Sequence, residues 1–147
     1  MENSYSLKLL SLLNAILNSK FLAKDFSGLG IIVYSDIRNL NLISLCKEVA
    51  LDINLNTHDY IAQKSSYEKL CHDGFFLIHE DWRVTHESQY VLPKLDGFND
   101  SDIHLSYPVG ARYVTALLAS KISGILCSGT IGVAKNINIF EFGNKAL

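Results

Sequence analysis

The sequence predicts an α/β (α+β) fold in which a mixed central β-sheet is flanked by helices on both faces. Short β-branched runs follow glycines and alternate with segments whose apolar residues recur at helical spacing. The chain has 147 residues, of which 48% are hydrophobic and 19% charged, as in a compact globular protein. No repeat, linker or low-complexity tract interrupts it. Residues 1–147 are therefore interpreted as one domain, with an N-terminal helix in 1–24 and the core in about 25–145.

The first half of the chain predicts one strand among three helices. Leu9, Leu13 and Ile16 recur at helical spacing, which predicts an amphipathic helix packed on the domain. The run IIVY is short and mostly β-branched, which favours a buried strand. A second apolar pattern at helical spacing, and a more polar segment after it, each predict a further helix. These four elements are expected in 4–24, 31–34, 40–52 and about 60–70.

The second half predicts a β-hairpin, a helix and further strands. The run FFLI has the length and composition of a buried strand, and Pro93 ends the arm that returns beside it. Gly124 follows an apolar helical face and is placed to end that helix. The expected strands and helix lie in 75–78, 83–92, 111–122 and 124–129, with two short strands around residues 135–136 and a loop in 94–106.

Composition and charge exclude several classes of protein. The net charge of −2 supplies no basic field for nucleic acid or anionic lipid. No run approaches the roughly 20 apolar residues that span a bilayer, so we expect a cytoplasmic protein with neither membrane nor nucleic-acid partners. Cys46, Cys71 and Cys127 form no CxxC pair, which favours three small buried thiols in a reducing compartment over a disulfide or a zinc site.

Two dipeptides in front of regular elements are candidate ligand sites. Asp73 and Gly74 precede the run FFLI: the carboxylate could bind a divalent metal or accept a proton, and the glycine lets a ring or sugar approach the backbone. Gly110 precedes a predicted helix whose first N–H groups would face an anion, and Arg112 adds a forked cation suited to phosphate. A plain turn and a plain helix cap are the alternatives.

A third candidate follows the predicted strand at 124–129. The segment CSGTIG offers Ser128, Gly129 and Thr130 as small hydrogen-bonding groups after a strand. Each of the three signals is weak alone, and their order along the chain makes them informative together.

That order resembles the diadenylate cyclase domain, the nucleotidyltransferase unit that joins two ATP molecules into cyclic di-AMP. The family carries an aspartate-glycine-alanine motif after a histidine, a segment ending in leucine-proline, and a helix that opens with glycine-threonine-arginine-histidine-arginine. It then has a strand that ends in a turn containing serine, glutamate and threonine-glycine. The counterparts are HDGF at 72–75, YVLP at 90–93, GARYV at 110–114 and CSGTIGVA from residue 127, with GLGIIVYSD upstream. The resemblance covers roughly residues 20–145.

The resemblance implies a nucleotide site whose members converge on one cleft. Asp73 would hold Mg²⁺ or Mn²⁺ and favour attack by the ribose 3′-hydroxyl, and so would be the catalytic and metal-binding residue of an active enzyme. The nucleotide would be bound by Gly74, Phe75, Leu92, Gly110, Arg112, Tyr113, Ser128, Gly129 and Thr130.

The departures from the family pattern argue against catalysis. Only Arg112 remains of the arginine-histidine-arginine run, because Tyr113 and Val114 replace the other two residues. The turn after Ser128 has no carboxylate. Phosphoryl transfer depends on positioning and on neutralising charge, so these losses predict that synthesis is slow or absent.

Three hypotheses follow. The first is a nucleotide-binding sensor domain with degenerate catalytic motifs, similar to relatives proposed for bacterial signalling and defence, whose ligand is a nucleotide or cyclic nucleotide. The second is an active enzyme that makes cyclic di-AMP, which would need two sites face to face and therefore a homo-oligomer. The third is a protein-interaction module without a small-molecule ligand.

Overall fold

The computed structural model describes residues 4–47, 55–94, 105 and 108–147. The fold is α+β, with three helices and a seven-stranded mixed sheet. The elements are α1 (Ser4–Leu17), β1 (Leu29–Tyr34), β2 (Asn41–Ser44), α2 (Thr57–Lys64), β3 (Phe75–His79), β4 (Val84–Leu92), α3 (Ala111–Ala119), β5 (Ile125–Ile131), β6 (Ile137–Glu141) and β7 (Asn144–Lys145).

The sheet has the strand order β2-β4-β3-β1-β5-β6-β7. β1 and β3 are parallel and start together, with Gly30 opposite Phe75, and every other neighbouring pair is antiparallel. All six residues of β1 are buried, because helices cover both faces of the sheet there. The mixed central sheet and the hairpin of β3 and β4 confirm the sequence prediction.

The helices divide between the two faces of the sheet. Leu9 and Leu13 of α1 pack with Ile31 of β1 and with residues of α2 in one core layer. Leu117 of α3 packs with Ile32 in the layer on the opposite face. Successive residues of β1 therefore serve different layers, as the two-residue period of a strand requires. Helices on both faces were predicted, and the structure confirms them.

Three boundaries in the first half differ from the prediction. Asn41–Ser44 form an edge strand rather than a helix, since they pair antiparallel with β4, and residues 48–54 of that expected helix lie outside the described residues. α1 ends at Leu17, short of residue 24. α2 begins earlier than residue 60, because the Asn56 side chain caps it by accepting a hydrogen bond from the Asp59 N–H at 3.0 Å.

The cysteine prediction is wrong for two of the three residues. β2 leads to Cys46, and the turn before β3 holds Cys71 with its Cα 5.7 Å from that of Cys46; the two form a disulfide. Cys127 is buried and free, as predicted, and burial raises the pKa of its thiol to about 12. Among the described residues no helix has the length and apolar character needed to cross a membrane.

Candidate functional site

The candidate site surrounds the start of α3, at the edge of the sheet where β1 and β3 begin. α3 crosses β5, and the Ser128 hydroxyl anchors it by donating to the Ala116 carbonyl at 2.6 Å. Gly110 is the N-cap and provides no side-chain hydrogen bond, and a Cβ atom there would meet nothing within 4 Å. The first N–H groups of α3 therefore carry the positive end of the helix dipole into open space.

A cleft of about 480 Å³, here called cleft A, lies on the β6 side of this helix start. It is lined by residues 108–113, by the end of β5 and its turn at 130–132, and by Asn136, Asn138 and Lys145. The cleft exists because α3 starts at Ala111 and does not extend over the end of β5 or the start of β6. The lining includes two cations, Arg112 and Lys145, and no acidic side chain from the described part of the chain.

A second cleft of about 400 Å³, here called cleft B, lies on the β4 side of the same helix start. It is lined by residues 73–75 and 89–91, with Leu45, Ala111, Arg112 and Thr115. Asp73 gives it an acidic group, and its other walls include Leu45, Phe75 and Val91. Cleft B is therefore the more apolar of the two and shares only Ala111 and Arg112 with cleft A.

Arg112 is the residue that links the clefts. Its Nη1 donates to the Ser27 carbonyl at 3.3 Å, and the guanidinium lies so close to Gly28 that a Cβ there would be 3.1 Å from Nη1. Burial lowers the pKa of the guanidinium, while the nearby Asp73 and Tyr67 side chains act in the opposite direction. The guanidinium is thus partly desolvated and is held in place by its hydrogen bond to the Ser27 carbonyl.

Arg112 also differs from the other arginines in its ion pairing. Arg38 and Arg83 are 80% and 70% exposed, and each has an aspartate oxygen within 4 Å. Within the described ranges, no carboxylate oxygen lies that close to Arg112. Among the three, the most buried guanidinium is thus the one without a carboxylate within 4 Å in the part of the chain that the structure describes.

Gly74 is explained by its neighbouring strand. Its φ is +83°, a conformation that L side chains rarely adopt, and a Cβ there would lie 2.6 Å from the Gln89 carbonyl oxygen. β3 can pair with β4 only if this position lacks a side chain. A structural reason therefore accounts for the glycine without any ligand.

Asp73 stands beside it on the surface. Its side chain is 71% exposed, and one carboxylate oxygen is 3.7 Å from Nδ1 of His72. In the part of the chain that the structure describes, no group of three or more His, Cys, Asp or Glu side chains could hold a metal ion. Asp73 fits Mg²⁺ or Mn²⁺ only as a single protein ligand, with the remaining oxygens supplied by phosphates and water.

The structure divides the site residues predicted from the sequence among three places. Asp73, Gly74 and Phe75 line cleft B, whereas Gly110, Tyr113 and Thr130 line cleft A. Arg112 lines both, so the expected single cleft is corrected to two clefts separated by the start of α3.

Three predicted residues lie outside both clefts. Ser128 is completely buried under α3, where its hydroxyl is occupied by Ala116. Gly129 faces the opposite side of the sheet, where a Cβ would be 3.1 Å from the side chains of Leu9 and Leu13. Leu92 is 39% exposed near the end of the sheet. The alternation of faces along β5 accounts for Gly129, and the cover provided by α3 accounts for Ser128.

Sequence reasoning missed Asn136, Asn138 and Lys145, which complete cleft A. Asn138 pairs directly with Thr130 across β5 and β6, and Lys145 lies on the last strand. A polar residue in the otherwise apolar run INIF was the available signal for Asn138.

No protein-family model matches the chain, and no match was found among curated proteins.

Proposed function

We propose that this protein binds a phosphate-bearing nucleotide at the start of α3 and does not join nucleotides. The observation that carries the proposal is Arg112, a partly desolvated guanidinium with no carboxylate within 4 Å in the described ranges. Removing a cation from water without an anionic partner is costly, so such an arrangement favours an anionic ligand. The resemblance to diadenylate cyclases supports a nucleotide as that ligand.

The phosphates fit cleft A better than cleft B. Arg112, Lys145 and the uncapped helix start all favour negative charge there, and cleft A has no acidic lining side chain among the described residues. A forked guanidinium can donate two parallel hydrogen bonds to one phosphate group. In cleft B the Asp73 carboxylate would repel an anion unless a divalent metal lay between them.

Cyclic di-AMP synthesis is not expected. The family would have cations at Tyr113 and Val114, and the Tyr113 ring is instead packed edge-on against Phe140, with ring centroids 4.8 Å apart. Asp73 lines cleft B, where Arg112 is the only cation among the described lining residues, whereas Lys145 and the uncapped helix start line cleft A. Purified protein with ATP and Mn²⁺ should yield no cyclic di-AMP above a protein-free control, and turnover that Asp73→Asn abolishes would contradict the proposal.

Binding can be tested by calorimetry with ATP, ADP and cyclic di-AMP, each with and without Mg²⁺. Arg112→Ala should weaken nucleotide binding by about 1.5–3 kcal/mol, the range for a hydrogen bond to a charged group. Arg112→Lys retains the charge and loses the fork, so it should fall between the wild type and the alanine variant. Arg83→Ala, which changes an exposed arginine paired with Asp81, is the matched control and should bind like the wild type.

Two results would refute the proposal. One is the absence of binding by every nucleotide tested. The other is nucleotide binding that Arg112→Ala leaves unchanged in a variant shown to be folded by its urea transition. The absence of binding would favour the protein-interaction alternative, whereas binding that does not depend on Arg112 would mean that the nucleotide binds elsewhere.

A further inference from the structure

Two polar side chains in the wall of cleft A have most of their surface buried but keep polar atoms that are accessible from outside. Thr130 and Asn138 are 4% and 8% exposed, and both line the cleft. They are opposite one another in the antiparallel pair of β5 and β6, on the face that α3 covers. Within the described residues, neither side chain makes a hydrogen bond. Their hydroxyl and carboxamide atoms are therefore free to bond water or a ligand in the cleft.

The position of the pair explains why no described residue hydrogen-bonds to either side chain. One step further along the same face, Ser128 and Phe140 face each other beneath α3, and both are covered by it. Thr130 and Asn138 lie beyond the first turn of α3, and cleft A occupies the space above them. A ligand in the cleft would therefore complete the layer that α3 leaves unfinished.

The chemistry of the carboxamide limits what that ligand offers at this end. Asn138 presents both an acceptor, Oδ1, and a donor, Nδ2. A phosphate oxygen only accepts, so phosphate here would leave Oδ1 buried and unsatisfied, at a cost in binding. A flat ring edge with a donor beside an acceptor would satisfy both atoms. Among the bases, adenine is the usual match for asparagine, because its amino group donates to Oδ1 while a ring nitrogen accepts from Nδ2.

We propose that Asn138 recognises the base of the bound nucleotide as adenine, through the ring edge that carries its amino group, and that Thr130 hydrogen-bonds beside it. This inference rests on the proposed function, since it assigns one end of cleft A to the base and the end at Arg112 to the phosphates. The cleft volume of about 480 Å³ is in the range of small-molecule sites, which is roughly 300–1,000 Å³. Asn138 is thereby a specificity residue that the resemblance did not identify.

The test compares ADP with purine riboside 5′-diphosphate, which lacks the amino group, by calorimetry. The wild type should bind ADP at least about tenfold more tightly, because the analogue leaves Oδ1 of Asn138 unpaired. Asn138→Leu should reduce this preference to near unity. Thr130→Val, which removes only the hydroxyl, should weaken ADP by roughly two- to tenfold. Asn144→Leu, an exposed change on the neighbouring strand, is the matched control and should keep the wild-type preference.

Two further measurements make the result independent of a folding defect. Asn138→Leu should unfold at the same urea concentration as the wild type or a higher one without nucleotide, because it removes a side chain that makes no hydrogen bond with the described residues. In the wild type, the side-chain NH₂ resonances of Asn138 should shift on addition of ADP.

Four outcomes separate this inference from the proposed function. A preference for ADP that Asn138→Leu abolishes supports both. If Asn138→Leu weakens both ligands equally, Asn138 contacts the phosphates, and the base-reading inference is wrong. If GDP binds and ADP does not, the nucleotide site stands and the inference is again wrong. If no nucleotide binds, the proposed function fails and this inference fails with it.

Discussion

Replacing Gly74 by alanine distinguishes a structural glycine from one reserved for a ligand. Gly74 has φ +83°, and a Cβ there would be 2.6, 2.8 and 2.9 Å from the O, N and C atoms of Gln89. These are backbone atoms of β4, opposite the start of β3, so they cannot rotate away as a flexible side chain could. The alanine must either distort the hairpin or adopt a strained conformation.

The expected loss is the sum of two costs. A left-handed conformation costs an L residue about 1–2 kcal/mol. Inserting a methyl group into packed surroundings costs about 1–3 kcal/mol more. Gly74→Ala should therefore lower the free energy of unfolding by about 2–5 kcal/mol, a large fraction of the roughly 5–15 kcal/mol of a typical domain.

Urea unfolding followed by circular dichroism measures this loss. Gly110→Ala is the control, because Gly110 has φ −83° and open space around its Cβ position, so the loss should be about 1 kcal/mol or less, as for a helix-cap change. If Gly74→Ala unfolds within about 0.5 kcal/mol of the wild type, the range of a neutral surface change, the packing argument is wrong. Close approach of a ligand would then be the remaining reason for the glycine.

Three further predictions concern stability. Cys71→Ser removes a disulfide between residues 25 positions apart, so it should lower the free energy of unfolding in urea by about 3–4 kcal/mol. Reduced wild-type protein should unfold like this variant. A variant as stable as the oxidised wild type would mean that the bond does not form. Because burial raises the pKa of the Cys127 thiol, the thiol ionises at a lower pH in the unfolded protein than in the folded one, and the free energy of unfolding should fall as the pH rises above about 9. Cys127→Ala should lose this part of the pH dependence. If the variant and the wild type lose stability equally at alkaline pH, this prediction is wrong. Tyr60→Phe removes the hydroxyl that donates to the buried Glu87 carboxylate and should cost about 1–3 kcal/mol by the same assay, whereas an unchanged transition would show the bond to be unimportant.

Elements with a strong local pattern were predictable from the sequence. The β-branched run of β1 and the apolar run of β3 are buried strands, because a short run of consecutive apolar residues leaves water most readily as an interior strand of a sheet. α3 was predicted from its apolar face, and the structure places it at Ala111–Ala119. In these segments the information lies within a few residues of each position.

The site was predictable only in part. Arg112 was identified from its place at the start of a helix, and it does line both clefts. Ser128 and Gly129 were assigned to the same site as Thr130, although successive residues of a strand face opposite sides and Ser128 is covered by α3. Asn138 was missed, because its significance depends on its place in the wall of a cleft that distant segments form together.

By itself, the sequence determined the mixed α+β class, the buried strands and the helix that presents Arg112, since all of these follow from hydrophobic periodicity along the chain. Only the tertiary structure decided that residues 41–44 are an edge strand and that Cys46 meets Cys71. It also decided that the start of α3 separates two clefts and that Asn138 lines one of them. These features depend on which distant segments lie side by side, and that follows from burying the two faces of the sheet together, so no pattern within one segment could specify them.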